Sequence, residues 1–125
     1  MRGIFEDAEG RIFSLCESKH QLWYKTKSGQ IDSLPLKSKS GEPVSLMYDT
    51  SFFVTNNEKT HAYAISKGIR KIDLKTGQTV TYDQFSDRNK IYGPNALLKL
   101  KDGRLLFGYT LEMLTVFNPE TEESR

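Results

Sequence analysis

The chain has 125 residues, of which 37% are hydrophobic and 27% charged, with a formal net charge of +2. That balance fits one folded domain with a modest core and excludes a disordered chain. Both signs of charge are interspersed, so nothing in the electrostatics points to nucleic acid or to an anionic membrane surface. The most apolar uncharged stretch, Leu105 to Leu111, is far too short to cross a bilayer, so direct membrane insertion of this segment is not expected. The single cysteine, Cys16, can form no intrachain disulfide and lies in an apolar strand pattern. Residues 1 to 20 lack the apolar run of a signal peptide.

In chain order, Arg2 to Asp7 reads as a strand closed by the turn Ala8-Glu9-Gly10, followed by a strand from Arg11 to Cys16 and a loop at Glu17 to His20. Gln21 to Thr26 reads as the next strand, with apolar Leu22 and Tyr24 on one side of the pleat. Lys27-Ser28-Gly29 makes a tight turn into Gln30 to Leu34, and Lys37 to Pro43 is a polar crossing loop.

Two segments, Val44 to Tyr48 and Phe52 to Thr55, both have the composition of the next inner strand. An insertion with Asn56-Asn57-Glu58 as its turn accommodates both. Ala62 to Ile65, Ile69 to Leu74, the turn Lys75-Thr76-Gly77 and Gln78 to Tyr82 complete this unit, and Asp83 to Pro94 is a polar connection. The last unit holds Asn95 to Leu100, the turn Lys101-Asp102-Gly103, Arg104 to Thr110, and Met113 to Phe117. Asn118-Pro119-Glu120-Thr121 then stands in the place of the earlier glycine turn, and no fourth strand is expected after it.

The units are related. Lys27-Ser28-Gly29-Gln30 recurs 48 residues later as Lys75-Thr76-Gly77-Gln78, and Ile4-Phe5 through Phe13 recurs 93 residues later as Leu97-Leu98 through Leu106. A repeat of forty-odd residues made of short strands is the signature of propeller blades. The expected fold is therefore all-β, a fragment of a β-propeller with four-stranded antiparallel blades: 1–42, 43–93 with the insertion, and an incomplete 94–125.

The motifs resemble the two-component regulator propeller repeats of hybrid two-component sensors. Ile4-Phe5-Glu6-Asp7-Ala8-Glu9-Gly10-Arg11 is similar to the first part of that repeat. Lys67-Gly68-Ile69-Arg70-Lys71-Ile72-Asp73-Leu74-Lys75-Thr76-Gly77 is similar to its second part, and Phe117-Asn118-Pro119-Glu120-Thr121 is a weaker third instance. The strand usually written "leu-trp-ile-gly-thr" departs from the pattern here, as Ile12-Phe13-Ser14-Leu15-Cys16 and Leu105-Leu106-Phe107-Gly108-Tyr109. The resemblance implies a periplasmic or extracellular input domain of a membrane-bound hybrid histidine kinase sensor, responding to carbohydrate-derived ligands. It also implies that the remaining blades of a parent propeller are its partners, and that any kinase chemistry lies elsewhere.

Ligand contacts on a propeller lie on end loops, because blade faces are consumed in packing. Those loops are expected at Glu17 to His20, Lys37 to Pro43, Ser66 to Gly68, Asp83 to Pro94 and Leu111-Glu112. Within them, His20 can hydrogen-bond a sugar, and Asp87, Arg88, Asn89 and Tyr92 combine hydroxyl partners with a flat apolar ring. Solvated loops have the same composition. Trp23 and Tyr24 read as a pair, one packing in the blade and one facing a neighbour, rather than as a stacking platform for a ligand. His61 has no partner at metal-ligand spacing, and Asp7 and Glu9 read as turn chemistry rather than an acid–base pair.

No catalytic residue, cofactor or metal is expected. Two rivals remain, a propeller enzyme such as a lactonase or lyase and a non-catalytic interaction scaffold. In isolation, two to three blades should expose apolar faces and self-associate.

Overall fold

The structure, a computed structural model, describes residues 4–14, 21–44, 53–65, 69–82, 94–109 and 115–124. These form three four-stranded antiparallel sheets. The first holds β1 (Ile4–Glu6), β2 (Ile12–Ser14), β3 (Gln21–Lys25) and β4 (Ile31–Pro35). The second holds β5 (Phe53–Thr55), β6 (His61–Ile65), β7 (Ile69–Asp73) and β8 (Thr79–Tyr82). The third holds β9 (Pro94–Lys99), β10 (Leu105–Tyr109), β11 (Thr115–Asn118) and β12 (Glu123–Ser124). Each sheet is a meander, and the first strands β1, β5 and β9 are neighbours from sheet to sheet, as the inner strands of stacked blades must be.

The turns explain the recurrence. The connection after each first strand contains a residue with positive φ: Gly10 at 80°, Lys59 at 58° and Gly103 at 94°. Each donates its N–H to the carbonyl three residues back, at 3.1, 3.0 and 3.0 Å. The connection after each third strand also holds a residue with positive φ, Gly29, Gly77 or Glu122; Gly29 donates three residues back to Thr26, whereas Gly77 and Glu122 donate four back, to the Asp73 and Asn118 carbonyls. Asp73 and Asn118 each turn a side-chain oxygen onto the N–H groups of the two turn residues that follow, which fixes the reversal.

Two expectations change. Asn56-Asn57-Glu58 does not close an insertion; it belongs to the ordinary first turn of the second sheet. That turn is one residue longer than its counterparts, because Thr55 pairs with Ala62 whereas Glu6 pairs with Ile12 and Lys99 with Leu105. The third sheet also has a fourth strand. Glu122 takes the left-handed conformation that glycine supplies elsewhere, and Ser124 and Glu123 pair with Phe117 and Asn118.

The core lies between the sheets. Period-two alternation sends Phe5, Phe13, Leu22, Tyr24 and Leu34 of the first sheet toward Phe53, Ala62 and Ile72 of the second. Phe5 and Phe13 stack with centroids 5.2 Å apart, and the small Ala62 leaves room for these rings. The opposite face of the second sheet presents Val54, Tyr63, Ile69 and Tyr82 to Leu97, Leu105 and Phe117. Tyr82 meets Phe117 edge-on at 4.9 Å.

Polar contacts fix the stacking. Ala8 donates its N–H to the Lys59 carbonyl, and the Asn57 side-chain amide donates to the Lys101 carbonyl, so the first turns are chained together. The segment Lys37 to Pro43, expected among the ligand-end loops, is instead held on the second sheet. Lys37 donates to the Gly77 carbonyl at 3.1 Å and accepts from Thr79 at 2.7 Å.

Candidate functional site

Among the ionic groups the structure describes, the most enclosed arrangement surrounds Arg11. Its Nε donates to Asp7 Oδ2 at 2.7 Å and its Nη2 to the Leu74 carbonyl of the second sheet at 3.1 Å. The guanidinium carbon sits 5.1 Å from the Phe13 ring centroid and 4.7 Å from that of Tyr24. Partial burial works against the charge, but the hydrogen bond to Asp7 and the nearby carboxylates outweigh it, and the Arg11 pKa is raised. Asp7 also accepts from the Glu9 and Arg11 N–H groups, which leaves it committed to the turn. Asp7 and Arg11 therefore form a tie between sheets, and Glu9 is a solvent-side partner of Arg11 rather than an acid–base companion of Asp7.

His61 sits at the mouth of the second interface. Its Nδ1 lies 3.0 Å from Thr60 Oγ1 and its Nε2 lies 3.7 Å from Asp73 Oδ2. Burial and then Lys71 push its pKa below the ordinary imidazole value, against the opposing pull of Asp73 and Glu58. Tyr63 behind it is pushed up to about 12 by burial and by Tyr82. No group of three metal-binding side chains occurs among the described residues. A cleft at the rim of the first sheet is lined by Tyr24, Thr26, Gln30, Ile31 and Asp32.

The predicted ligand residues His20, Asp87, Arg88, Asn89 and Tyr92 lie outside the described residues, as does Cys16. Trp23 lies on the face of the first sheet that points away from the second.

That face is the most distinctive surface described. Ile4, Ile12, Trp23 and Ile31 share it and are exposed by 60%, 40%, 36% and 70%. At the other end, Leu98 is 56% exposed and shares the outer face of the third sheet with its ladder partners Leu106 and Val116. The exposed isoleucines were legible only as strand residues; their orientation required the register.

Neither a family model nor a curated protein matches this sequence. Solved structures do. Virginiamycin B lyase from Staphylococcus aureus superposes with a TM-score of 0.68 at 14% identity, over 99% of this chain and 39% of that one. A streptogramin B lyase gives 0.70 at 18% identity, over 98% and 38%. The extracellular domain of BT4673 from B. thetaiotaomicron, described as both a one component and a hybrid two component system, gives 0.54 at 18–19% identity, over 99% of this chain and 23–24% of that domain. The chain thus spans less than two fifths of the length of each of these proteins. Among the described residues no helix is long and apolar enough to cross a membrane. By fold, the chain is a run of three four-stranded β-propeller blades, an architecture it shares with these lyases and with the extracellular domain of BT4673.

Proposed function

We propose that this chain is part of the ligand-sensing input domain of a membrane-bound hybrid two-component sensor, placed outside the cytoplasmic membrane and responding to carbohydrate-derived ligands. The observation that carries the reading is the repeat from Lys67 to Gly77, together with superposition of nearly the whole chain on the extracellular domain of a two component system. The described inner strands favour it as well. They offer Ile4, Phe5, Phe53, Val54, Leu97 and Leu98, with Glu6 as the single carboxylate and no imidazole among these described strands, where an enzyme propeller would gather several such groups. Ligand binding on end loops would bias two arrangements of the stacked sheets, which a linked kinase reads.

The rival reading is a piece of a propeller lyase, favoured by the higher TM-score to the streptogramin B lyase. Calorimetric titration with a panel of neutral and acidic oligosaccharides, run beside a turnover assay on virginiamycin B, separates them. Saturable saccharide binding without turnover supports the sensor. Consumption of virginiamycin B with no saccharide bound overturns it.

A further inference from the structure

We propose that the cleft at the rim of the first sheet binds a neutral polyhydroxylated ring, one pyranose unit in size. The cleft has a volume of about 380 Å³ and is lined by Tyr24, Thr26, Gln30, Ile31 and Asp32. That lies near the lower end of ordinary ligand sites, about 300–1,000 Å³. Tyr24 pairs with Asp32, and the Thr26 N–H donates to the Gln30 carbonyl, so these four residues share the face turned toward the second sheet. A sheet preceding the first would pack on the opposite face, so the site does not depend on what lies beyond this chain.

The opening is not a by-product of the repeat. Phe13 pairs with Phe5 and Tyr63 with Val54, each one position before the end of its first strand. Phe13 then pairs with Tyr24 and Tyr63 with Lys71, which in turn pair with Asp32 and Val80. Asp32 therefore stands where Val80 stands in the second sheet. Val80 packs against the core of the interface with the third sheet. Asp32 is exposed at the same place, because burying a carboxylate there would cost what burying a valine gains.

The polar groups around the opening are set for hydroxyl partners. The Tyr24 hydroxyl is hydrogen-bonded to Arg11, whose guanidinium carbon lies 4.7 Å from its ring centroid. The ring is held, and since a guanidinium only donates, the phenol proton is left to donate outward. Thr26 Oγ1 accepts from the Gln30 N–H at 3.0 Å and lies 2.9 Å from Ser28 Oγ, which fixes the turn beneath. Asp32 Oδ1 accepts from the Ser33 N–H at 2.8 Å. Asp32 Oδ2 and the Gln30 side-chain amide have no partner among the described residues. A donor, an acceptor and an amide that is both thus border the opening, the complement of adjacent ring hydroxyls, which each donate and accept. The carboxylate disfavours an anion, and Arg11 beside it disfavours a cation.

The test titrates the full chain with methyl glucoside, methyl galactoside and methyl mannoside, read by amide chemical shifts. At least one should shift the amides from Thr26 to Asp32 saturably, with a Kd of about 1 mM, as a ligand of a dozen or so heavy atoms permits. Gln30→Ala and Asp32→Ala, both at exposed positions, should keep the far-UV strand signal and each weaken binding about fivefold or more. Asp32→Val, which copies the second sheet, should close the cleft and abolish binding.

No shift at these amides up to about 50 mM glycoside overturns the proposal. So does saturable binding that Asp32→Ala leaves unchanged, which would place the saccharide elsewhere, and so does methylammonium binding tighter than any glycoside. The assignment rests on the lining and not on the sensor reading, which turnover of virginiamycin B decides separately.

Discussion

Replacing Gly77 with alanine should cost far more than the same change at Gly29, although both occupy the same place in equivalent turns. At Gly29 φ is 95° and a Cβ would meet nothing within 4 Å, so the cost is left-handed strain alone, about 1 kcal/mol. At Gly77 φ is 81°, and the added Cβ would collide with the Pro35 carbonyl of the first sheet. Backbone cannot swing aside as a side chain does. Relief requires the sheets to part, which strains the bonds from Lys37 to the Gly77 carbonyl and from Thr79 to the Lys37 carbonyl. Each is worth about 1 kcal/mol net, so Gly77→Ala should cost about 3 kcal/mol in all. Urea unfolding followed by far-UV circular dichroism at fixed protein concentration would measure both. The melting temperature should fall by about 4 °C for Gly29→Ala and about 12 °C for Gly77→Ala. Equal losses at the two glycines would refute the role given to the close approach.

Further outcomes follow from the same geometry. Glu122→Gly should stabilise by about 0.5 kcal/mol, because the left-handed strain relieved slightly exceeds the added freedom of the unfolded chain, and denaturant midpoints would show it. Arg11→Ala should destabilise by about 2 kcal/mol, since it removes the donors to Asp7 Oδ2 and to the Leu74 carbonyl while the backbone N–H groups still hold Asp7 Oδ1; Asp7→Ala with Arg11→Ala should cost less than the sum of the two, as a double-mutant cycle would reveal. The folded His61 pKa lies below 6.5, so the unfolded state binds the extra proton. Stability should therefore fall as pH drops below about 6.5, and His61→Gln should flatten that limb of a pH–stability curve. Tyr63 runs the opposite way. Its folded pKa of about 12 exceeds the unfolded 10.0, so its contribution is complete below pH 10 and is lost on rising toward 12, and Tyr63→Phe should be less sensitive to alkali.

The parts of the fold that were legible in the sequence are those where glycine marks the reversal. Gly10, Gly29, Gly77 and Gly103 each take the positive φ that their turns require. Legibility fails where an ordinary side chain does the same work. Lys59 holds φ at 58° without advertising it, so its turn read as part of an insertion. Glu122 does likewise at 61°, which hid the short strand β12 behind it. Alternation in Gln21 to Lys25 sends Leu22 and Tyr24 to one side of the sheet and Trp23 to the other, as the observed register has it. The outward isoleucines needed the observed pairing, since Ile12 and Ala62 become equivalent only when the longer turn is known. The ligand residues chosen from composition lie outside the described residues.

The additional residue in that turn has a consequence for how such a protein grows by gene duplication. Counted evenly, Phe13 would fall on Ala62; paired by hydrogen bonds, it falls on Tyr63. A copied segment is therefore not a free-standing cassette. Splice it with a hairpin of the other length, and every side chain downstream swaps inside for outside, so insertion and compensating strand pattern have to be inherited together.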